Sequence, residues 1–311
     1  MKKLILAQPR GFCAGVIRAI NTVNMALEKW GKPIYVKHEI VHNRHIVEDF
    51  RKKGVIFIED LMDVPEGSKI IYSAHGIPPE IRLLAKKRNL LEIDATCGLV
   101  TKIHSAVKRY YHKGFKIILI GHKNHVEIIG IKGEVPEVFI VEKVEDVENL
   151  SFSCDEHVFY VTQTTLSLDD IKSIVEVILK KYPKAKTLPS SSICYATVNR
   201  QRALKAILNK VDLVIVIGDT KSSNSTRLYE LGLKRGIPSY LINNVEELHD
   251  DFLKDVSVVG LTAGASSPEN LIEACIQRLF DLGITSVEDA IYSQEDVFFQ
   301  LPKEVLIEVA N

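Results

Sequence analysis

Short apolar runs alternate with longer amphipathic stretches along this chain, and the alternation repeats three times. Each repeat opens with a strand-like run and a helical stretch, continues with a second strand and a short β-like run, and closes with a third strand. The second strands are the largely apolar runs at residues 33–36, 116–120 and 213–217. Strands that alternate with helical segments are typical of parallel βαβ units. The pattern therefore predicts an α/β fold with parallel sheets.

The repeat divides the chain into three domains of similar plan. We place them at residues 1–96, 97–193 and 194–282, and the tail at residues 283–311 fits no fourth repeat. Ligands of parallel sheets collect at the carboxyl ends of the strands. Three such domains packed around a pseudo-threefold axis would turn those ends toward one central cavity.

One cysteine stands at the first strand-to-helix turn of each repeat: Cys13, Cys97 and Cys194. A polar cluster follows the second strand of each repeat, 29, 28 and 29 residues after the cysteine. The other two cysteines lie outside the repeat, Cys154 in a polar loop and Cys275 on the apolar face of a predicted helix. The matching positions indicate that the first three cysteines share a role.

Three thiols at helix N-termini suit an anionic metal centre, because the helix end lowers the pKa of a thiol and stabilises negative charge. Three thiolates can hold a [4Fe-4S] cluster and leave one iron without a protein ligand. A Cys3His zinc site is the competing interpretation. Structural zinc sites usually pair their ligands at short spacing, whereas these cysteines are 84 and 97 residues apart. The spacing favours a cluster at a domain junction.

Composition argues against some other classes of protein. The chain has 311 residues, 46% of them hydrophobic, and 40 basic residues balance 40 acidic ones. No overall positive field is available to hold nucleic acid. The N-terminal apolar run stops at Gln8, short of a signal peptide, and no segment approaches the roughly 18 apolar residues that a membrane span needs. We expect a cytoplasmic protein without membrane association and without a disulfide framework.

Nine short motifs in this chain, taken together, resemble one family: the 4-hydroxy-3-methylbut-2-enyl diphosphate reductases of the non-mevalonate isoprenoid pathway. They run in order across all three repeats. They are residues 9–16, 41–44, 73–76, 94–97, 125–127, 162–165, 193–197, 222–225 and 262–266. Two positions depart from the common family pattern, since Val126 and Gly98 stand where proline is frequent. Neither position supplies a catalytic side chain.

The resemblance implies three lobes around one [4Fe-4S] cluster held by Cys13, Cys97 and Cys194. It also implies a small allylic diphosphate substrate, reduced to isopentenyl and dimethylallyl diphosphate with electrons from a donor such as ferredoxin or flavodoxin. Glu127 would be the proton donor, with Thr164 as a relay. The implied catalytic residues are Glu127, Thr164 and His125. The implied substrate-binding residues are His42, His75, His125, Thr164, Ser222, Ser223, Asn224 and Ser266.

Two other functions share some of these features. A cluster-dependent dehydratase of the quinolinate synthase type resembles the same three-domain, three-cysteine plan, but it needs no electron donor. An iron-sensing or structural iron-sulfur or zinc protein would bind metal without binding a diphosphate. Dependence of turnover on a reductant, metal analysis and diphosphate binding separate these alternatives from the reductase.

Overall fold

The computed structural model describes residues 2–306, and this part of the chain contains twelve strands and ten α-helices. The strands are β1 Lys2–Gln8, β2 Ile34–Lys37, β3 Val55–Ile58, β4 Lys69–Tyr72, β5 Leu91–Asp94, β6 Lys116–Ile120, β7 Phe139–Val141, β8 Val158–Thr162, β9 Leu213–Ile217, β10 Ser239–Ile242, β11 Val258–Ala263 and β12 Ile284–Ile291. The helices are α1 Ala14–Trp30, α2 Arg44–Lys52, α3 Pro79–Lys87, α4 Gly98–Tyr111, α5 Val126–Lys132, α6 Val144–Glu148, α7 Leu168–Lys181, α8 Tyr195–Ile207, α9 Ser223–Lys234 and α10 Glu269–Asp281.

The strands form three sheets, and every strand pairing within residues 2–306 is parallel. The sheet orders are β3-β2-β4-β5, β7-β6-β8 and β10-β9-β11-β1-β12. In each sheet the second strand of the repeat lies between the short run and the third strand. The predicted α/β fold with three parallel sheets is confirmed.

The strand that leads to each cysteine belongs to the sheet of the preceding repeat. Strand β5, which leads to Cys97, pairs with β4, and Lys186, ahead of Cys194, bridges to Phe159 in β8. Strand β1, which leads to Cys13, pairs with β11, so Lys3 lies opposite Val258. The three repeats are therefore joined cyclically, since the first cysteine strand completes the last sheet.

Two segments differ from the division expected from the sequence. Strand β1 lies in the sheet of the third repeat and not in a domain at residues 1–96. Strand β12, within the tail at residues 283–311, pairs in parallel with β1 at the edge of that same sheet. The reason is physical: β1 is apolar, with Leu4 to Ala7 buried, and it needs a hydrogen-bonding strand on each side.

Two compact units are distinguished by the density of contacts. One comprises residues 1–14, 42–44 and 195–298, and it contains the five-stranded sheet. The other comprises residues 15–41, 45–194 and 299–311, and it contains the four- and three-stranded sheets. Most of the first two predicted domains therefore lies in one unit, and residues 1–14 and 42–44 lie in the other.

The cores of both units lie on the faces of these sheets. Strand β9 is buried at all five positions, and its side chains alternate between two apolar clusters, with Ile215 in one and Val214 in the other. Strand β6 divides its side chains in the same way, with Leu119 and Ile118 on opposite faces. Burial on both faces explains why these strands read as continuous apolar runs. Within residues 2–306, no helix is long and apolar enough to cross a membrane.

Candidate active site

The three repeat cysteines stand at helix N-termini, as the sequence predicts. Cys97 is the N-cap residue of α4, and Cys13 and Cys194 directly precede α1 and α8. All three side chains are half-buried. The remaining two differ, because Cys154 is exposed and Cys275 is fully buried among apolar side chains, where burial raises its pKa to about 12. Only the three repeat thiols therefore combine a helix end with partial access to solvent.

In the larger unit, backbone hydrogen bonds tie two of these cysteines to predicted site residues. The amide of Cys97 donates to the carbonyl of Ala74, 3.0 Å away, in the turn that carries His75. The amide of Cys194 donates to the carbonyl of Thr164, also at 3.0 Å. The amide of Cys194 thus bonds directly to a predicted substrate-binding residue, and the amide of Cys97 bonds to the residue before one.

Glu127 and Thr164 form a buried pair in the same unit. The side chain of Glu127 is 2% exposed and that of Thr164 is 5% exposed. The amide and the hydroxyl of Thr164 donate to the two carboxyl oxygens of Glu127, at 2.7 Å to Oε1 and 2.8 Å to Oε2. Both oxygens of the carboxyl are therefore oriented by one neighbouring residue.

Burial raises the pKa of Glu127 to about 7, although both hydrogen bonds from Thr164 act in the opposite direction. Removing a carboxylate from water disfavours its charged form, and two donors recover only part of that loss. A carboxyl with a pKa near neutrality holds a proton at physiological pH and gives it up readily. Glu127 therefore has the acidity expected of a proton donor.

His125 and His75 lie next to this pair. His125 caps α5, since its Nδ1 accepts the amide hydrogen of Glu127 at 3.2 Å. This bond makes Nδ1 an acceptor, which leaves Nε2 as the donor nitrogen of a neutral ring. The rings of His75 and His125 meet edge to face with centroids 6.1 Å apart, and Nδ1 of His75 is 3.2 Å from Oγ of Ser73. The two histidines and Glu127 therefore share one region of the unit.

The smaller unit brings together Cys13 and the predicted polar residues of the third repeat. The amide of Cys13 donates to the carbonyl of Ala265 at 3.2 Å. The next residue, Ser266, donates its hydroxyl to the carbonyl of His42 at 3.0 Å. The loop after β11 thus contacts both the cysteine loop and the histidine loop.

Asn224 and Ser222 are oriented by their neighbours at the start of α9. Asn224 donates from Nδ2 to the hydroxyl of Thr197 and accepts the amide hydrogen of Ala265 at 2.9 Å. Ser222 caps the helix by accepting the amide hydrogen of Ser225 at 3.4 Å. Ser223 is the first residue of α9 and is half-buried. These hydroxyl and amide groups stand at a helix N-terminus, which favours anions.

Two glycines permit this close packing. A Cβ on Gly218 or on Gly264 would overlap the hydroxyl of Ser225. These glycines end β9 and β11, so both strand ends approach α9 more closely than any other residue would allow.

Two buried polar residues of this unit were missed by the sequence reasoning. Asp219 is 1% exposed and accepts the amide hydrogen of Arg44 at 3.1 Å, so it orders the loop after His42. Thr197 is fully buried and orients Asn224. Thr197 lies within a motif of the resemblance, and Asp219 stands two residues after an apolar strand. Either signal was available in the sequence.

The chemistry of the three repeat thiols is compatible with the ligands of an iron-sulfur cluster. Within the described part of the chain, no three His, Cys, Asp or Glu side chains are placed to bind one ion. A cluster takes one thiolate on each of several irons, so its ligands need not converge on one point. Soft thiolates at helix N-termini match that requirement.

The fold and the site define a parallel α/β protein with repeat thiols and a buried, protonatable carboxyl. Comparison with known proteins agrees with this fold. The sequence profile of the LytB protein family matches residues 4–280. This chain belongs to the LytB family.

Individual relatives carry a more specific name. The 4-hydroxy-3-methylbut-2-enyl diphosphate reductase of Protochlamydia amoebophila is 62% identical over 305 residues, which cover 98% of this chain and 97% of the relative. The solved E-1-hydroxy-2-methyl-but-2-enyl-4-diphosphate reductase of Plasmodium falciparum is 48% identical, with a TM-score of 0.96, covering 98% of this chain and 96% of that one. A second solved reductase, described as the terminal enzyme of the non-mevalonate pathway, is 34% identical with a TM-score of 0.66, covering 90% of this chain and 100% of that one.

Proposed function

We propose that this chain is an oxidoreductase that converts 4-hydroxy-3-methylbut-2-enyl diphosphate into isopentenyl and dimethylallyl diphosphate. The reaction breaks the bond between C4 and its hydroxyl, consumes two electrons and two protons, and releases one water. The names of the relatives support the reaction. The observation in this chain that carries the proposal is the buried Glu127 carboxyl, held by Thr164 and with a pKa of about 7.

Cys13, Cys97 and Cys194 are proposed as the ligands of one [4Fe-4S] cluster. When bound, the cluster supplies the electrons and an iron without a protein ligand as a Lewis acid for the substrate hydroxyl. Support comes from the position of each thiol at a helix N-terminus.

Glu127 and Thr164 would deliver the proton to the leaving oxygen. In the protonated state, Oε2 of Glu127 donates to Oγ1 of Thr164, which reverses the hydrogen bond seen with the carboxylate. The hydroxyl of Thr164 is then able to donate its proton to the substrate hydroxyl, and Glu127 replaces that proton. Burial keeps this path closed to water, so the proton moves to the substrate and not to solvent. His125 would orient Glu127 through the cap at the start of α5.

The diphosphate would be bound mostly by uncharged donors, several of which stand at helix N-termini. The proposed donors are His42, His75, His125, Thr164, Ser222, Ser223, Asn224 and Ser266. Support comes from the contacts of Asn224 and Ser266, which hold both side chains in fixed orientations. Hydroxyls, amides and helix ends bind phosphate oxygens without placing a full positive charge beside the cluster.

The two electrons require a partner. We propose a small one-electron carrier of the ferredoxin or flavodoxin class, because such carriers deliver single electrons at low potential. We place the reaction in the cytoplasm, in line with the sequence expectation. The dehydratase alternative is not favoured, because the relatives are named as reductases.

Anaerobic reconstitution tests the proposal. The chain is loaded with iron and sulfide, both are measured per chain, and the allylic diphosphate is supplied with and without dithionite. We expect about four irons and four sulfides per chain and formation of both products only with the reductant. Cys97→Ser should lose most of the iron, whereas Cys154→Ser is the matched control with unchanged content. Turnover without a reductant, or full iron content in Cys97→Ser, would contradict the proposal.

A further inference from the structure

Each helix that follows a repeat cysteine carries a basic residue at nearly the same position. Arg18, Lys102 and Arg200 stand five, five and six residues after their cysteines. Each of them contacts the turn before the cysteine of the next repeat, and the third contacts the turn before the cysteine of the first repeat. Helix α1 contacts the turn before Cys97, α4 the turn before Cys194, and α8 the turn before Cys13.

Arg200 makes the most extensive of these contacts. It is fully buried, and its guanidinium donates to the carbonyl of Gly11 from Nη2 at 2.7 Å and from Nε at 3.2 Å. Nη2 also lies 3.4 Å from the carbonyl of Phe12, the residue directly before Cys13. A buried guanidinium is stable only when its donors and its charge are satisfied. The backbone before Cys13 is therefore part of what satisfies Arg200.

Arg18 makes the equivalent contact in the other unit. Its Nη1 donates to the carbonyl of Thr96, directly before Cys97, and its Nη2 donates to the carbonyl of Asp94, each at 3.0 Å. Arg18 therefore holds the peptide directly before Cys97.

Lys102 makes a weaker contact than the two arginines. Its Nζ donates to the hydroxyl of Ser190 at 2.6 Å, four residues before Cys194, and this contact is exposed to solvent. An exposed lysine with one side-chain acceptor restrains a loop much less than a guanidinium fork on backbone carbonyls. The turn before Cys194 is therefore held mainly by other contacts, among them the bond between its amide and Thr164.

The C-terminal segment after β12 completes both arginine contacts. Glu295 accepts from Nη1 of Arg200 at 3.1 and 3.3 Å and from Nδ2 of Asn199 at 3.0 Å. Farther along, the carbonyl of Gln300 accepts from Nε of Arg18 at 2.7 Å. The segment that fits no fourth repeat thus binds the arginine on each of two cysteine helices.

We propose that Arg18 and Arg200 are positioning residues that fix the thiols of Cys97 and Cys13 for cluster binding, and that the C-terminal segment completes both. The proposal rests on the proposed role of these cysteines as cluster ligands. Each guanidinium binds the carbonyl of the residue next to the cysteine, so it restricts rotation of the backbone that aims the thiol. Each thiol is then held in place before iron arrives.

Site-by-site alkylation tests this proposal in the full-length chain prepared without a cluster. Brief treatment with iodoacetamide is followed by mass spectrometry of each cysteine peptide. Cys154, which is exposed, marks the fastest reaction, and Cys275, which is buried, marks the slowest. Alkylation of the other three cysteines then reports how often each loop opens.

Two reciprocal variants should each raise the alkylation of one cysteine selectively. Arg200→Lys keeps the positive charge but loses the several guanidinium N–H groups that bind the backbone carbonyls. It should raise alkylation of Cys13 about ten-fold relative to Cys97 and Cys194. Arg18→Lys should raise alkylation of Cys97 by a similar factor and leave Cys13 unchanged. Each variant is the control for the other, because general destabilisation would raise all three sites together.

Two further variants keep the test decisive. If Arg200→Lys does not fold, as judged by circular dichroism, Glu295→Gln removes the charged partner of Arg200 and should also act on Cys13 alone. Lys102→Ala is the matched control and should change the alkylation of Cys194 less than two-fold. An equal rise at all three cysteines, or no rise in Glu295→Gln and Arg18→Lys, would overturn the proposal. Iron and sulfide content of the unmodified chain after reconstitution separately tests the proposed ligation, so the two ideas fail independently.

Discussion

Replacing Glu127 with glutamine changes a buried carboxyl into a neutral group of nearly the same shape. The amide oxygen of glutamine can still accept the amide hydrogen of Thr164, and its nitrogen can donate to the hydroxyl. The fold should therefore persist. What is lost is a proton that leaves at neutral pH.

The expected loss of activity follows from that missing proton. A positioned general acid contributes roughly 10²- to 10⁴-fold to a rate, so turnover in Glu127→Gln should fall by a factor in that range. The Michaelis constant and the iron content should change little, because the shape and the cysteines are unaltered. Single-turnover reduction of the allylic diphosphate by dithionite measures the chemical step directly.

The same substitution has a predictable effect on stability. The rise in the pKa of Glu127 from 4.5 to about 7 corresponds to about 3 kcal/mol. The folded chain holds this proton more tightly than the unfolded chain, so the free energy of unfolding falls as pH rises from about 4.5 to about 7. The free energy of unfolding of Glu127→Gln does not fall in this way, because glutamine does not titrate. The difference in free energy of unfolding between the variant and the unmodified chain should therefore shift in favour of the variant by about 3 kcal/mol between pH 4.5 and pH 7.

Glu134, just beyond the C-terminal end of α5, provides a matched control. It is half-buried, and hydrogen bonds from His104 and Lys108 outweigh the effect of burial and lower its pKa. It therefore contributes stability above its unfolded pKa and loses that contribution as pH falls. Glu134→Gln should lose stability near neutral pH, lose less in acid, and keep most of its turnover. Urea unfolding of cluster-free chains at several pH values tests the opposite pH dependences of stability expected for the two variants. Equal turnover in Glu127→Gln and the unmodified chain would refute the role of Glu127 as proton donor.

Three further results are expected. Thr164→Val removes a hydrogen bond that lowers the pKa of Glu127, so the high-pH limb of the turnover profile, where Glu127 loses its proton, should move to higher pH, whereas Thr164→Ser should keep the original profile. Asn224→Asp preserves the acceptor for Ala265 but adds negative charge, so the Michaelis constant for the diphosphate should rise at least about ten-fold with iron content unchanged; an unaltered constant would remove Asn224 from the binding site. Gly264→Ala should lower the free energy of unfolding by about 2 kcal/mol, because its Cβ overlaps the hydroxyl of Ser225, and Ser225→Ala in the same chain should recover part of that loss.

Local patterns in the sequence predict much of the fold and the chemistry. Strands β6 and β9 are recognisable because a strand buried on both faces must be apolar throughout. The three cysteines stand out because their strand-to-helix turns recur with the same polar cluster about 29 residues later. The residue types at those turns are enough to suggest an anionic metal centre and a phosphate ligand.

Other features depend on groups that are far apart along the chain. Strand β1 pairs with β11 more than 250 residues away, and its own composition fits a place in any of the three sheets. Arg200 reads as an ordinary helix residue until folding surrounds it with Gly11 and Glu295.

The pKa of Glu127 is the clearest case, because it depends on water being excluded and on Thr164 lying 2.8 Å away. The amino-acid order specifies which chemical groups exist and which local elements they begin. Their partners, their burial and hence their acidity arise only when distant segments pack together, because desolvation and hydrogen bonding are properties of the surroundings and not of the residue.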